Sequence, residues 1–469
     1  MKRHSKKELF ETMPVPRALA TMAVPTIISQ LINLIYNMVD AFYIGRTGNS
    51  YMMAATTVSF TIMMLNISFA NLFGIGGGSL VARLMGKDRY DEGKKVSAFA
   101  FYCSIGISII YSTVIFVFMT PILNFLGASD ATIVYATQYT TFVVVLGTLP
   151  MVLSLALAQL LRNTGNSTHA SIGLSMGGVL NIILDPIFMF VIMDKGEEVK
   201  GAAIATLISN TIGCIFLLVG YIRAGKKGSP LSMSFKEMMG INPQNVKEVF
   251  AVGIPSAILT GLFDVGNVCM NILASAHNDM VLAATGIVMK IERIPNAINI
   301  GLCQGMLPLV AYNYSSGNKE RLKKIISNGR LYGLIVSFVS IVLLEIVANP
   351  ITNFFLDTTT ENAEIAMITV TYAALFLRIR CLAAPVQFMN YHSSYCLQGM
   401  GRGKDTMIHA FLRILVFYIP LMFVLDKLFA EYGLMAALPA GEGLGAIIAL
   451  ILLSRVIKKI KDNSIEKTI

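Results

Sequence analysis

Tryptophan is absent from the 469 residues, and charged side chains make up only 14% of them. A soluble domain carries nearer a quarter charged residues, so a water-soluble globule is excluded. Interfacial anchoring must then rest on tyrosine and basic residues. The five histidines are scattered and form neither an HExxH motif nor a ligand cluster. The six cysteines (Cys103, Cys214, Cys269, Cys303, Cys381 and Cys396) all fall in apolar segments without a CxxC pair. That reads as buried structural thiols, not as metal ligands or disulfides. The glycine-rich GIGGGS at 74–79 lacks the Lys-Ser/Thr of a phosphate loop and lies in an apolar run, where glycines serve close helix packing. With no nucleophile–base pair and no metal-ligand set in view, no enzyme and no cofactor are expected.

What is present is apolar surface, 55% of residues. About 20 apolar residues cross a bilayer. Twelve such segments can be read at 18–45, 52–82, 96–126, 134–161, 169–193, 202–223, 246–274, 281–312, 326–355, 365–396, 406–429 and 433–457. The fold class is therefore an all-α polytopic membrane protein embedded in a lipid bilayer. The opening MKRHSKK is basic like a signal peptide, but the run behind it is too long and lacks a cleavage site, so it is expected to remain as the first helix. The formal charge of +10 sorts by side. Arg83, Arg162, Arg223, Lys319, Arg402 and Arg455 all lie with the termini, and the opposite side holds only Arg46, Lys195, Lys200 and Lys427. This bias predicts that both termini lie in the cytoplasm. The basic excess is thus topology, not a nucleic-acid surface.

The longest polar break, 224–245, divides the chain into a tail (1–17), an N-lobe of six spans (18–223), a linker, a C-lobe of six spans (246–457) and a second tail (458–469). The halves repeat. Ala23-Val24-Pro25 matches Gly253-Ile254-Pro255 and Asn37 matches Asn267 at an offset of 230, Gly86-Lys87 matches Gly317-Asn318 at 231, and Pro150 through Gly165 matches Pro385 through Gly401 at 235–236. Two parallel six-helix repeats place a substrate between the halves and work by alternating access.

The first span, Ala20–Arg46, carries Pro25, Asn33, Tyr36, Asn37 and an acid, Asp40. A charged group in mid-membrane costs roughly 2.5–3.5 kcal/mol on the insertion scale and is functional by default. Tyr36 and Asn37 share a helix face with Asp40. The fifth span repeats the theme: Asn181 and Asp185 are i,i+4, with Pro186 next. Counting to Arg46 and Asp194 puts Asp40 and Asp185 at similar depth, roughly 9 and 14 Å from the ends of their helices. Two carboxylates with amide oxygens, and a hydroxyl from Thr206, suit either a hard monovalent cation or carboxyls that desolvation makes exchange protons near neutrality. In the second half Met270 and the region of Leu421 stand where these acids would be. That half carries instead Asp264, Lys290, Glu292, Arg293, Arg378, Arg380 and Arg413. They either pair internally, for instance Asp264 with Lys290, or form a charged cavity wall. Lys290 and Arg293 share a face from which Glu292 points away, and Glu345 is expected at the interface. The 27 methionines fill the core or line an adaptable cavity.

The repeated twelve spans, the Pro25-to-Asp40 spacing, the Asn181-x-x-x-Asp185-Pro186 motif and the Gly-ending loops resemble the multidrug and toxic compound extrusion (MATE) family over nearly the whole chain. The resemblance implies two bundles around a central cavity and antiport of cationic or amphipathic organic compounds against H+ or Na+. It assigns coupling to Asp40, Asn181, Asp185 and Thr206, with Asn37 beside them. Na+, if used, would be held by Asp40, Asn181 and Asp185. It makes Pro25 a hinge, and leaves Asn33, Tyr36, Asp264, Lys290, Glu292, Arg293 and Arg378 as cavity candidates. The tenth span lacks the acid one branch of the family places there, which favours coupling in the N-lobe. A monomer is expected. The alternative is a flippase of the same fold for lipid-linked precursors, with a cavity dominated by arginines such as Arg378, Arg380 and Arg413.

Overall fold

The computed structural model describes residues 7–354 and 363–461. The first six residues, the tail beyond 461 and the end of the ninth expected span at 355 lie outside them. The described residues are helical, without strands. Six spans are single helices: α1 (Val15–Arg46), α2 (Ser50–Gly86), α6 (Glu198–Lys226), α7 (Pro243–His277), α8 (Asp279–Ser315) and α9 (Lys319–Phe354). The third, α3 (Tyr90–Val117), continues into Met119–Phe125, and α5 (Ser167–Ile187) into a wide π-turn at Phe188–Ile192.

Two expected spans are broken. α4 bends by 45° between Ile133–Leu146 and Thr148–Asn163, and α10 by 47° between Met367–Cys381 and Ala384–Gly399. Proline lacks a backbone N–H and disfavours helix in the residue before it, so Pro150 and Pro385 explain bends at matching places in the two halves. The last apolar stretch, Gly403–Ile460, has 58 residues. As one helix it would run roughly 87 Å, against a hydrocarbon core of about 30 Å. Phe429 and Ala430 leave the helical region, with Ala430 at φ 48°, and divide it into α11 (403–429) and α12 (430–461). The corner is tighter than the three-residue loop expected. Twelve spans in two six-helix bundles result.

The repeat is visible in the turns. Gly165 and Gly401 close α4 and α10 with φ of 80° and 72°. Left-handed backbone there favours glycine and ends the helix by an αL cap. The turn after α2 corrects the register read from sequence. Its left-handed residue is Asp88, the counterpart of Gly317 after α8, so Gly86 is not the matching position.

Among the described residues the two bundles meet along the half of the molecule that carries the chain ends. There α1 packs on α8 and α2 on α7. Small residues allow the approach: Gly305 lies against Ala23 and Gly301 against Ile27. The seam is also polar. Gln30 donates to Gln304 (3.0 Å), Asn71 to Thr260 (3.1 Å), Arg83 to Glu248 (2.8 Å) and Ser79 to the Gln398 carbonyl (2.6 Å). Beyond Asn71 and Thr260 the described residues make no hydrogen bond between the lobes, and a cleft opens away from the chain ends. Gly253 is the tightest point, because a Cβ there would run into the Leu72 carbonyl. Gly253→Ala is therefore expected to part the seam, read as a loss of disulfide crosslinking between cysteines placed by Asn71→Cys and Thr260→Cys.

The N-terminal tail is not free. Leu9 and Phe10 are buried at 0% and 1% exposure, Phe10 stacks on Tyr312 at 4.7 Å, and Arg321 donates to the Phe10 and Leu9 carbonyls (2.8 and 3.2 Å). The linker is also folded down: it holds a short helix, Phe235–Met239, and Tyr102 and Tyr221 donate to the Met233 and Ser232 carbonyls.

Candidate functional site

Pro186 cannot donate to the preceding turn, and the backbone widens into the π-turn just after it. Asp185, at the last regular turn, is buried at 0% exposure. Asn181, one turn earlier, donates to Asp185 Oδ1 at 2.8 Å and to Thr206 Oγ1 on α6 at 3.2 Å. α1 packs against α5 and brings Tyr36 and Asp40 within electrostatic reach of Asp185. Tyr139 from α4 completes the wall. Three oxygens here are buried and receive no hydrogen bond from any described residue: Asp40 Oδ1, Asn181 Oδ1 and Asp185 Oδ2. Buried polar atoms are nearly always paired. Three lone acceptors around two carboxylates leave the site short of a proton or a cation, and an all-oxygen donor set suits a hard ion. Among the described residues no group of three His, Cys, Asp or Glu forms a metal centre.

The cleft walls follow from the seam. On α1 the seam residues Ala23, Ile27 and Gln30 continue at helical spacing to Asn33 and Asn37. Asn33 is exposed, and Asn37 donates to its carbonyl at 2.6 Å. On α8 the seam residues Gln304 and Gly301 continue through Ala297 to Arg293 and Lys290, both exposed. The two faces stand opposite each other where the lobes part.

Behind the α8 face the C-lobe is held by ion pairs. Arg380 grips Glu292 through both ends (2.6 and 2.9 Å), and Arg413 grips Glu442 likewise (2.9 and 2.7 Å). The second pair is 1% and 2% exposed. Glu442 also accepts from Asn390 (2.6 Å), whose Oδ1 accepts from His409 Nε2 (2.9 Å), while Ser394 donates to His409 Nδ1 (2.9 Å). Arg378 meets Glu345 at 3.6 Å with both half exposed.

A family model described as MatE matches residues 25–187 and 255–424, one block in each lobe. The chain belongs to the MatE family. The multidrug export protein MepA of Staphylococcus aureus (strain MRSA252) is 28% identical over 443 residues, 94% of each chain. MepA of Staphylococcus haemolyticus (strain JCSC1435) is equally similar, with the same coverage. Among solved structures, a MATE in complex with MaL6 superposes with a TM-score of 0.89 at 20% identity, covering 97% of this chain and 99% of that one. The outward-facing conformation of a multidrug resistance MATE family transporter of the MOP superfamily gives 0.86 at 20%, covering 98% and 100%.

Within this MatE chain the sequence-selected residues fall into three places. Asp40, Tyr36, Asn181, Asp185 and Thr206 come together. Asn37 makes no hydrogen bond to either acid, but it lies beside them, donating to the Asn33 carbonyl and meeting the Tyr36 side chain. The C-lobe expectations need correction. Asp264 does not pair with Lys290, and the charge within its reach is Arg293. Glu292 and Arg293 line one pocket with Arg380. Glu345, expected at the interface, is partly exposed and meets Arg378 there. Arg162, assigned from sequence to the side of the termini, is 2% exposed and donates to Gln304 and Ser29. Sequence reasoning missed Tyr139, Glu442, Asn390 and His409. Only Glu442 left a signal, as an acid in the otherwise apolar GEGLG run at 441–445.

Proposed function

We propose that the protein is a secondary active antiporter that exports cationic or amphipathic organic compounds in exchange for H+ or Na+ by alternating access. The observation that carries this reading is the trio of buried, unpartnered oxygens on Asp40, Asn181 and Asp185, at the edge of a cleft open to one side only. Thr206 adds a hydroxyl to the same set, and Tyr36 and Tyr139 shield it. Loading of the site by a proton or Na+ removes the repulsion between two carboxylates. Pro25, inside α1 between the seam residues Ala23 and Ile27, is the hinge through which that change bends the helix. The curated relatives are multidrug export proteins, which supports efflux. The positive side is read as cytoplasmic, so both termini lie in the cytoplasm of a bacterial-type inner membrane and the cleft faces outward. A monomer suffices, no catalytic step is needed, and nucleic acid has no place in it. The flippase alternative loses its support, since Arg378, Arg380 and Arg413 are each paired to a carboxylate.

The deciding experiment is transport in proteoliposomes with the proton and sodium gradients imposed separately. Export driven by one of them identifies the ion. Export that persists with both collapsed overturns the antiport reading.

A further inference from the structure

At the seam between the lobes a cation is buried without an anion. Arg162, near the end of α4, is 2% exposed. Its Nη1 donates to Gln304 Oε1 on α8 (3.0 Å) and its Nη2 to Ser29 Oγ on α1 (3.3 Å). Its Nε is buried and donates to no described residue. No carboxylate of a described residue pairs with it, and the ionisable group within its electrostatic reach is the Tyr395 phenol. Arg83, Arg380 and Arg413 differ, since each is answered by a glutamate. The repeated architecture does not ask for a charge here. In the register of Gly165 and Gly401, Arg162 corresponds to Gln398, a neutral amide.

An ion that leaves water gives up more free energy than two neutral acceptors return. Gln304 belongs to the other lobe, so parting the seam breaks its bond to Arg162 and lets water reach the guanidinium. The desolvation penalty therefore falls on the closed seam. No neighbour depends on the arginine for a partner. Without it Gln304 Oε1 still accepts from Gln30 (3.0 Å), and Ser29 still donates to the Thr26 carbonyl (2.9 Å).

We propose that Arg162 is a built-in release for the seam: its unanswered charge raises the free energy of the closed arrangement and so promotes parting of the lobes at the end that carries the chain termini. This rests on the alternating-access reading and adds to it an element outside both the ion site and the cleft. The approach of Gly301 and Gly305 to α1 and the stack of Phe10 on Tyr312 favour closure, and the buried charge opposes them. A seam that must open and close in every cycle needs the two arrangements close in free energy. Arginine suits the task, because its guanidinium is more weakly hydrated than an ammonium and tolerates burial that a lysine resists.

The test measures how often the seam opens. Ser79 is 0% exposed and donates across the seam to the Gln398 carbonyl (2.6 Å), so a cysteine placed by Ser79→Cys reacts with a maleimide when the lobes part there. Full-length protein in lipid nanodiscs, with no gradient, is treated with N-ethylmaleimide, and modification at position 79 is followed by peptide mass spectrometry. Cys396, 0% exposed and beside His392 within the C-lobe, reports unfolding in the same digest. Relative to the Ser79→Cys parent, adding Arg162→Met is expected to slow modification at position 79 about tenfold, because the rate follows the population of the open seam. Arg162→Gln should slow it in the same sense and serves alone if Arg162→Met does not fold. Arg162→Lys keeps the charge and should react at least as fast as the parent. An unchanged or faster rate in the neutral variants overturns the proposal, and so does slowing by Arg162→Lys, since the charge would then not be what opens the seam. If position 79 of the parent reacts no faster than Cys396, the seam parts only by unfolding, and it is the alternating-access reading that fails.

Discussion

Asp185→Asn is expected to reduce gradient-driven export to the level of empty vesicles while the protein still folds and inserts. The substitution keeps the shape of the side chain. Asn181 still donates to the remaining carbonyl oxygen as it now does to Asp185 Oδ1. What disappears is the charge, and with it the only group at that position able to bind and release a proton or balance a cation. Asp40 then faces a neutral amide, and the pair no longer has a repulsion to relieve when the ion arrives. Asp40→Asn should have the same effect for the same reason. Because the two carboxylates act on one ion, the double variant should be no worse than either single one; groups that work as a unit are strongly non-additive. Counterflow of labelled substrate, which needs no gradient, should survive in all three. Full export by Asp185→Asn protein at normal abundance would remove the N-lobe from the coupling mechanism altogether.

The largest effect on stability is expected at the other buried acid. Glu442→Gln leaves Arg413 at 1% exposure with a neutral partner, and Arg413 Nη1 already has none. Removing one member of a buried pair typically costs about 3–5 kcal/mol, because the survivor cannot reach water. Arg413 retains its position over the Tyr391 ring at 4.9 Å, which offsets part of the loss. Glu442→Gln should therefore melt well below the parent protein in detergent. The paired replacement Arg413→Met with Glu442→Leu should recover most of that difference, since well-packed apolar residues often match a buried ion pair. Equal melting of the single variant and the parent would mean that water reaches Arg413 in the lobe. The network through Asn390, His409 and Ser394 makes the single loss worse, as it ends on the same carboxylate.

How far the sequence alone reaches differs between the lobes for a physical reason. The N-lobe site was legible because its parts announce themselves along single helices: a proline next to Asp185, an amide one turn before it, and an acid at matched depth in α1. Adjacent helices at equal depth leave few ways to arrange them. The C-lobe charges were visible but their pairing was not. Which of Arg378, Arg380 and Arg413 meets which of Glu292, Glu345 and Glu442 depends on the rotation of α8, α9, α10, α11 and α12 about their axes, which spacing within one helix does not fix. Asn37 shares a face with Asp40 in a helical projection and lies beside Tyr36 in the structure, but spacing alone did not show that its amide would turn back to the Asn33 carbonyl. For Arg162 the sequence offered only a side, because side bias says nothing of whether a charge meets water or, as here, a neighbouring lobe.

Residues 8–12 add an asymmetry that neither repeat contains. They lie across the seam with Leu9 and Phe10 buried and Arg321 from α9 holding both carbonyls. Any motion that opens the cleft toward the chain ends must expose those two side chains, each worth about 1.5–3 kcal/mol when buried. The dwell time of the closed seam is thus set partly by a short stretch ahead of the first span. Two proteins with identical ion sites and identical cavities can therefore run at different speeds, or rest facing opposite sides, through differences confined to their first dozen residues.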